Sequence, residues 1–194
     1  MEAASHIMMF SPHREPHEFY VTPPEGVRAL LSVETFDGSI WEPACGNGAI
    51  ARILSRAGYQ VFATDLIDRG YGEGGVNFLD QTEPRATNIV TNPPYGRGLA
   101  DNFLRKSFQL VRDTGGTIAL LLDLASLAHP LRHGLLVANP PSNVYILDEL
   151  ICQPGGRPRF TEAHLRYAWV LWKPGHCGPA ALSWLSTARF KDRI

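Results

Sequence analysis

This chain has few cysteines, no long apolar run and no dominant charge. Its three cysteines, Cys45, Cys152 and Cys177, are odd in number, far apart and without a CxxC pair. That pattern excludes a disulfide framework and lacks zinc-binding spacing, so a reduced, cytoplasmic setting is expected. No apolar stretch approaches the ~18 residues needed to span a membrane. Residues 1–9 lack the long apolar segment of a secretory signal. His129 and His133 have helical spacing for a metal pair, but Pro130 stands between them and no third ligand is near. No metal site is expected. A net charge of −1 and a pI near 6.6 do not announce a nucleic-acid binder.

The chain has 194 residues, 44% of them hydrophobic, which suits one domain with a sizeable core. Residues 1–17 carry histidine and proline punctuation and little periodicity, and are expected to be a disordered N-terminal segment before a single domain over 18–194. Helical and strand patterns alternate along that domain, which argues for βαβ units and a mostly parallel sheet with helices on both faces. Helices are expected over 49–57 and 101–111, and a broken one over 131–138. Strands are expected over 117–122 and 144–147, and over 164–172, which is rich in Tyr, Trp and Val. Only about twenty residues follow Lys173, so no separate target-recognition domain is expected.

The most informative stretch is Thr91-Asn92-Pro93-Pro94-Tyr95-Gly96, which follows the apolar run Asn88-Ile89-Val90. It reads as a buried strand ending in a rigid loop. Prolines lack N–H groups and have fixed φ, so the Asn92 side-chain oxygen and the Pro93 carbonyl can converge as two acceptors. Tyr95 adds a flat face suited to stacking a planar group. A planar amino group fits such a grip.

Upstream, Ile40-Trp41-Glu42 leads into Gly46-Asn47-Gly48 and a helix with Ile50, Ile53 and Leu54 on one face, stopped by Gly58. Glycines at such a turn let the backbone approach a ligand. Glu42 would repel a pyrophosphate and suits a cationic ligand such as the amino end of a methionine moiety. The run 61–64 then ends in Asp65, where a carboxylate could accept hydrogen bonds from two ribose hydroxyls. Thr22, before two prolines and Glu25, reads either as a helix N-cap with a capping box or as a ligand contact.

Glu42, the glycines, Asp65 and Asn92 to Tyr95, in this order, resemble the class I S-adenosylmethionine-dependent methyltransferases that modify amino groups. The resemblance is to DNA adenine-N6 enzymes and covers residues 19–173. It implies a Rossmann-like fold with an antiparallel last strand and S-adenosylmethionine as cofactor. It places the cofactor against Tyr20, Thr22, Glu42, Ala44, Gly46, Gly48, Asp65, Leu66, Asn77, Phe78 and Asn92. Phe19 to Pro24 resembles the segment that precedes the glycine turn in such enzymes. Asn77-Phe78-Leu79 stands where an acid is usual, with Asp80 as a second candidate for the cofactor's adenine amine. Asn92, Pro93, Pro94 and Tyr95 are the implied catalytic set. Phe160, in the loop 153–161, is the implied second stacking ring, with Arg157 and Arg159 beside it for phosphates.

Charge is divided unevenly along the chain. Residues 1–90 hold six Arg/Lys against twelve Asp/Glu, and residues 91–194 hold twelve against seven. The positive half carries the Asn92 loop and Phe160, as a polyanion-facing side should. The expected partner is nucleic acid, DNA first, with a partner protein for target recognition as an option. Alternatives are a protein glutamine amide, an RNA base amine, or a non-catalytic cofactor-binding subunit.

Overall fold

The computed structural model describes residues 19–155 and 165–191. Residues 1–17, and with them the expected N-terminal segment, lie outside the described residues. So do Arg157, Arg159 and Phe160.

The chain runs β1 (Tyr20–Val21), α1 (Pro24–Leu31), β2 (Ile40–Glu42), α2 (Ala49–Arg56), β3 (Val61–Ala63), β4 (Asn88–Thr91), α3 (Leu99–Val111) and β5 (Ile118–Asp123). It continues through α4 (Pro130–Ala138), β6 (Asn143–Leu147), β7 (Gln153–Pro154), β8 (Tyr167–Trp172) and β9 (Ala181–Leu185). Seven strands form one sheet in the order β3-β2-β4-β5-β8-β6-β9. All pairings are parallel except those of β8, which runs antiparallel between β5 and β6. The central strands β5 and β8 are near-continuous apolar runs, as strands covered on both faces must be. Helices α1 and α2 pack Val27, Leu30, Ile50, Ile53 and Leu54 against Tyr145, Trp169 and Leu171. On the other face α3 and α4 pack Phe103, Leu104 and Leu135 against Ile89, Leu120 and Val170. An ion pair of 2.5 Å between Arg132 Nε and Asp101 Oδ1 ties α4 to α3.

Three expectations need correction. The helix over 131–138 is unbroken, because Pro130 stands in its first turn and His129 caps it through Leu131 N at 3.3 Å. Thr22 is not the N-cap of α1: Pro23 holds that position without a side-chain hydrogen bond. The antiparallel strand is not the last, since β9 follows it and pairs parallel with β6. A second, two-stranded sheet also forms, in which β1 pairs antiparallel with β7.

Thr91, at the end of β4, is fully buried, and its hydroxyl has no hydrogen-bond partner among the described residues. Thr91→Val keeps the side-chain shape and removes a polar group that burial leaves unpaired. It is expected to raise stability by about 1 kcal/mol, read as a higher thermal midpoint.

Candidate functional site

Parallel strands deliver their loops to one edge of the sheet, and ligands of open α/β folds bind there. Glu42 ends β2, Asp65 follows β3 and Asn92 follows β4. These three residues line a single cleft with a cavity volume of about 200 Å³. Tyr20, Thr22, Ala44, Gly46, Leu66, Asn77, Phe78 and Pro94 also line it. Gly48, Pro93 and Tyr95 are not part of this lining.

The glycine turn is built for close approach. Gly46 has φ of +56°, and a Cβ there would lie 2.5 Å from the Phe19 ring. Gly48 has φ of +80°, and its Cβ would strike Tyr71 at 2.3 Å. The second glycine therefore makes room for a protein side chain. The Gly46 N–H donates to Asp65 Oδ2 at 2.8 Å, and the Ile67 N–H to Asp65 Oδ1 at 2.9 Å. These bonds aim the Asp65 carboxylate while leaving lone pairs on both oxygens.

Glu42 is 1% exposed. One carboxylate oxygen accepts the Ala51 N–H at 2.7 Å; the other receives no hydrogen bond from the described residues. Burial pushes its pKa well above the usual carboxylate range; the Ala51 amide opposes this and the nearby Asp65 charge adds to it. A buried carboxylate with one unpaired oxygen on a cleft wall is arranged to receive a cation. Beside it, the buried Cys45 thiol is held up at about 12, first by burial and then by the Glu42 and Asp65 charges. It stays protonated and unreactive.

Asn92 sits between the cleft and the loop that follows β4. Its Nδ2 donates to the Tyr20 carbonyl and to Thr22 Oγ1, each at 3.1 Å. Its Oδ1 accepts the Tyr95 hydroxyl at 2.5 Å. That hydroxyl also lies 3.0 Å from the Leu121 carbonyl. The half-buried Tyr95 ring lies beside Tyr167, with centroids 6.4 Å apart. Burial raises the Asp123 carboxyl at the end of β5, with the Ala125 and Arg166 amides pulling the other way.

Asn77 is engaged locally. Its Oδ1 accepts the Leu79 N–H at 3.2 Å and its Nδ2 donates to Asp80 at 2.8 Å, capping a short 3₁₀ turn. Phe78 is buried between Trp41 and Phe103. The sequence reading did not single out Phe19, Ile67 or Arg69 as site residues, yet all three line the cleft. The Arg69 guanidinium lies 4.2 Å from the Phe19 ring centroid. Arg69 is four residues beyond Asp65, and nothing in that spacing marks it.

No protein-family model matches the sequence, and no curated protein matches it. Solved structures do. A candidate class I S-adenosylmethionine-dependent methyltransferase from Listeria monocytogenes superposes with a TM-score of 0.57 at 14% identity, covering 87% of this chain and 66% of that one. A candidate RNA methyltransferase from Pyrococcus horikoshii gives 0.59 at 14% identity, covering 81% and 87%. The modification subunit of a candidate type I restriction enzyme from Vibrio vulnificus gives 0.54 at 16%, covering 87% and 47%.

The fold is that of the class I methyltransferases.

The chain spans about two thirds of the Listeria protein and under half of the Vibrio subunit. In this Rossmann-like fold, the mostly parallel sheet and its antiparallel strand β8 put Glu42, Asp65 and Asn92 at the edge that carries the cleft.

Proposed function

We propose that this protein transfers the methyl group of S-adenosylmethionine to the exocyclic amino group of adenine in DNA. What carries the proposal is the Asn92 amide. Both of its N–H groups are committed to β1 and Thr22, so the side chain presents an oxygen beside the cleft. An acceptor of that kind suits an amino group, which has hydrogens to give. The oxygen has a second lone pair, and the Tyr95 hydroxyl has an alternative acceptor in Leu121.

The cleft fits the cofactor. Glu42 would hold its cationic amino end and Asp65 its ribose hydroxyls, with Leu66 exposed on the rim as apolar cover. When bound, the cofactor supplies an electrophilic sulfonium methyl. An aromatic amine is a poor nucleophile because its lone pair is delocalised into the ring. Hydrogen bonds from that amine to Asn92 and to the Pro93 carbonyl draw the nitrogen toward a tetrahedral geometry and free the lone pair. The remainder is positioning and preorganised charge. No strong base is required, because the methylated ammonium is acidic.

In duplex DNA the base must leave the stack at a cost of a few kcal/mol. Stacking on Tyr95 and Phe160, roughly 1–3 kcal/mol per base, offsets that cost in this scheme, with Arg157 and Arg159 on phosphates. The scheme also allows a partner protein to supply target recognition. Mass spectrometry of DNA, RNA and protein incubated with the enzyme and isotope-labelled cofactor tests the assignment. N6-methyladenine in DNA is the expected product. Label only in RNA, or only on a protein glutamine, would move the reaction to that acceptor.

Asp65→Ala removes a charged acceptor and also the anchor of the Gly46 and Ile67 amides. Cofactor binding is expected to weaken by roughly 1.5–3 kcal/mol, at least about tenfold in Kd. Calorimetry showing equal affinity in wild type and variant would remove Asp65 from the cofactor site.

A further inference from the structure

Strand β1 meets both halves of the site. Tyr20 and Thr22 line the cleft, and the same two residues take both hydrogens of the Asn92 amide from 72 and 70 positions away. An Asn amide fits its space almost equally well in two orientations related by a flip. Only one of them puts the oxygen where an amino group can donate to it. The Tyr20 carbonyl can only accept, so it demands an N–H. The Thr22 hydroxyl can either accept or donate, and its orientation decides whether it supports the same flip.

Thr22 is 2% exposed. The Thr22 Oγ1 accepts an Asn92 N–H at 3.1 Å. With its own hydrogen turned away from the amide, the Thr22 oxygen offers lone pairs to Asn92 and rejects the flipped amide. Pairing of β1 with β7, Tyr20 opposite Pro154 and Val21 opposite Gln153, fixes the backbone that leads into Thr22.

We propose that Thr22 is a positioning residue for methyl transfer: its hydroxyl, seated immediately after β1, locks the Asn92 amide with the oxygen toward the acceptor. This rests on the function proposed above. It assigns the Thr22 hydroxyl neither to a helix cap nor to the cofactor. Loss of the lock leaves the cleft intact but presents a mixture of amide orientations to the acceptor. The effect therefore falls on kcat and not on cofactor affinity.

Thr22→Val, of equal shape, is expected to lower kcat tenfold or more, with cofactor Kd unchanged within threefold. Thr22→Ser restores the hydroxyl and is expected to return kcat to within threefold of wild type. In the cofactor-free protein, the two side-chain N–H resonances of Asn92 are expected to exchange slowly in wild type and Thr22→Ser, and faster in Thr22→Val. A kcat loss below tenfold in Thr22→Val, equal losses in the Val and Ser variants, or unchanged Asn92 resonances would overturn the lock. Should Thr22→Val fail to fold, Thr22→Ala carries the same comparison with Ser. The assay uses whichever acceptor the labelled-cofactor experiment identifies, because the amide grips any amino or amide nitrogen in the same way. An enzyme that labels RNA or protein therefore revises the substrate and still tests the lock.

Discussion

Asn92→Ala is expected to lower methyl transfer at least about a hundredfold, some 2.7 kcal/mol of barrier, while leaving cofactor affinity within about threefold. The side chain touches the cleft, but its N–H groups are held by Tyr20 and Thr22 and its oxygen keeps a lone pair beside the Tyr95 hydroxyl, so its loss falls on the acceptor. Asn92→Asp sharpens the test. It keeps the shape and an oxygen but loses both donors, setting a carboxylate oxygen about 3.1 Å from the Tyr20 carbonyl. Two acceptors at that distance repel, so the loop following β4 is expected to shift and transfer to fall about as far as in Asn92→Ala. Single-turnover transfer of labelled methyl, with calorimetry of cofactor binding, separates the two effects. A variant keeping more than about a tenth of the wild-type rate, under 1.4 kcal/mol, would remove Asn92 from the acceptor grip.

Tyr95 belongs to the same arrangement. Its hydroxyl has one hydrogen and two acceptors, the Asn92 oxygen and the Leu121 carbonyl. Turning that hydrogen to Leu121 frees the Asn92 lone pair for an incoming amine without moving the tyrosine ring. The grip is thus satisfied internally before an acceptor arrives, and opening it exchanges one hydrogen bond for another.

The sequence made the sheet edge that carries Glu42, Asp65 and Asn92 legible because each of its parts is local. An apolar run, then a turn carrying Gly46, then the α2 face Ile50, Ile53 and Leu54 reads as strand, turn and helix. The two prolines after Asn92 read as the end of β4. Where several local signals agree, the fold follows them. Thr22 shows the limit. Its spacing to Glu25 satisfies a capping pattern, but a hydroxyl has one set of lone pairs, and the Asn92 amide 70 residues away took them. Asn77 shows the reverse. It was read for a ligand, and a local turn engages it. Strand β9 was not read, although Leu182 and Trp184 alternate on one face as in a half-buried strand; Trp184 is 72% exposed at the sheet edge. Phe19 and Arg69 also escaped. They meet across the cleft, from β1's flank and from the loop after Asp65, and no sequence spacing encodes that approach.

Glu42→Gln is expected to separate stability from binding in opposite directions. The glutamine oxygen keeps the bond from the Ala51 amide and removes a buried charge that has no cationic partner among the described residues. The Glu42 pKa is raised in the folded protein, chiefly by burial. Its contribution to stability is therefore fully present below the unfolded value, about 4.3, and is lost as pH rises through the folded value. The variant should be free of that loss and melt higher than wild type at neutral pH. Cofactor binding should move the other way. A cationic amino group attracts the ionised carboxylate, so wild-type affinity should rise with pH through the raised Glu42 value. Glu42→Gln should bind at least about tenfold more weakly at neutral pH, the scale of one lost charge-assisted hydrogen bond, and its affinity should vary much less with pH. Thermal melts and cofactor titrations between pH 5 and 9 (a range that brackets ~7) test both halves. A variant that melts lower than wild type and binds equally well would make Glu42 a structural carboxylate and leave the cationic end of the cofactor without its partner.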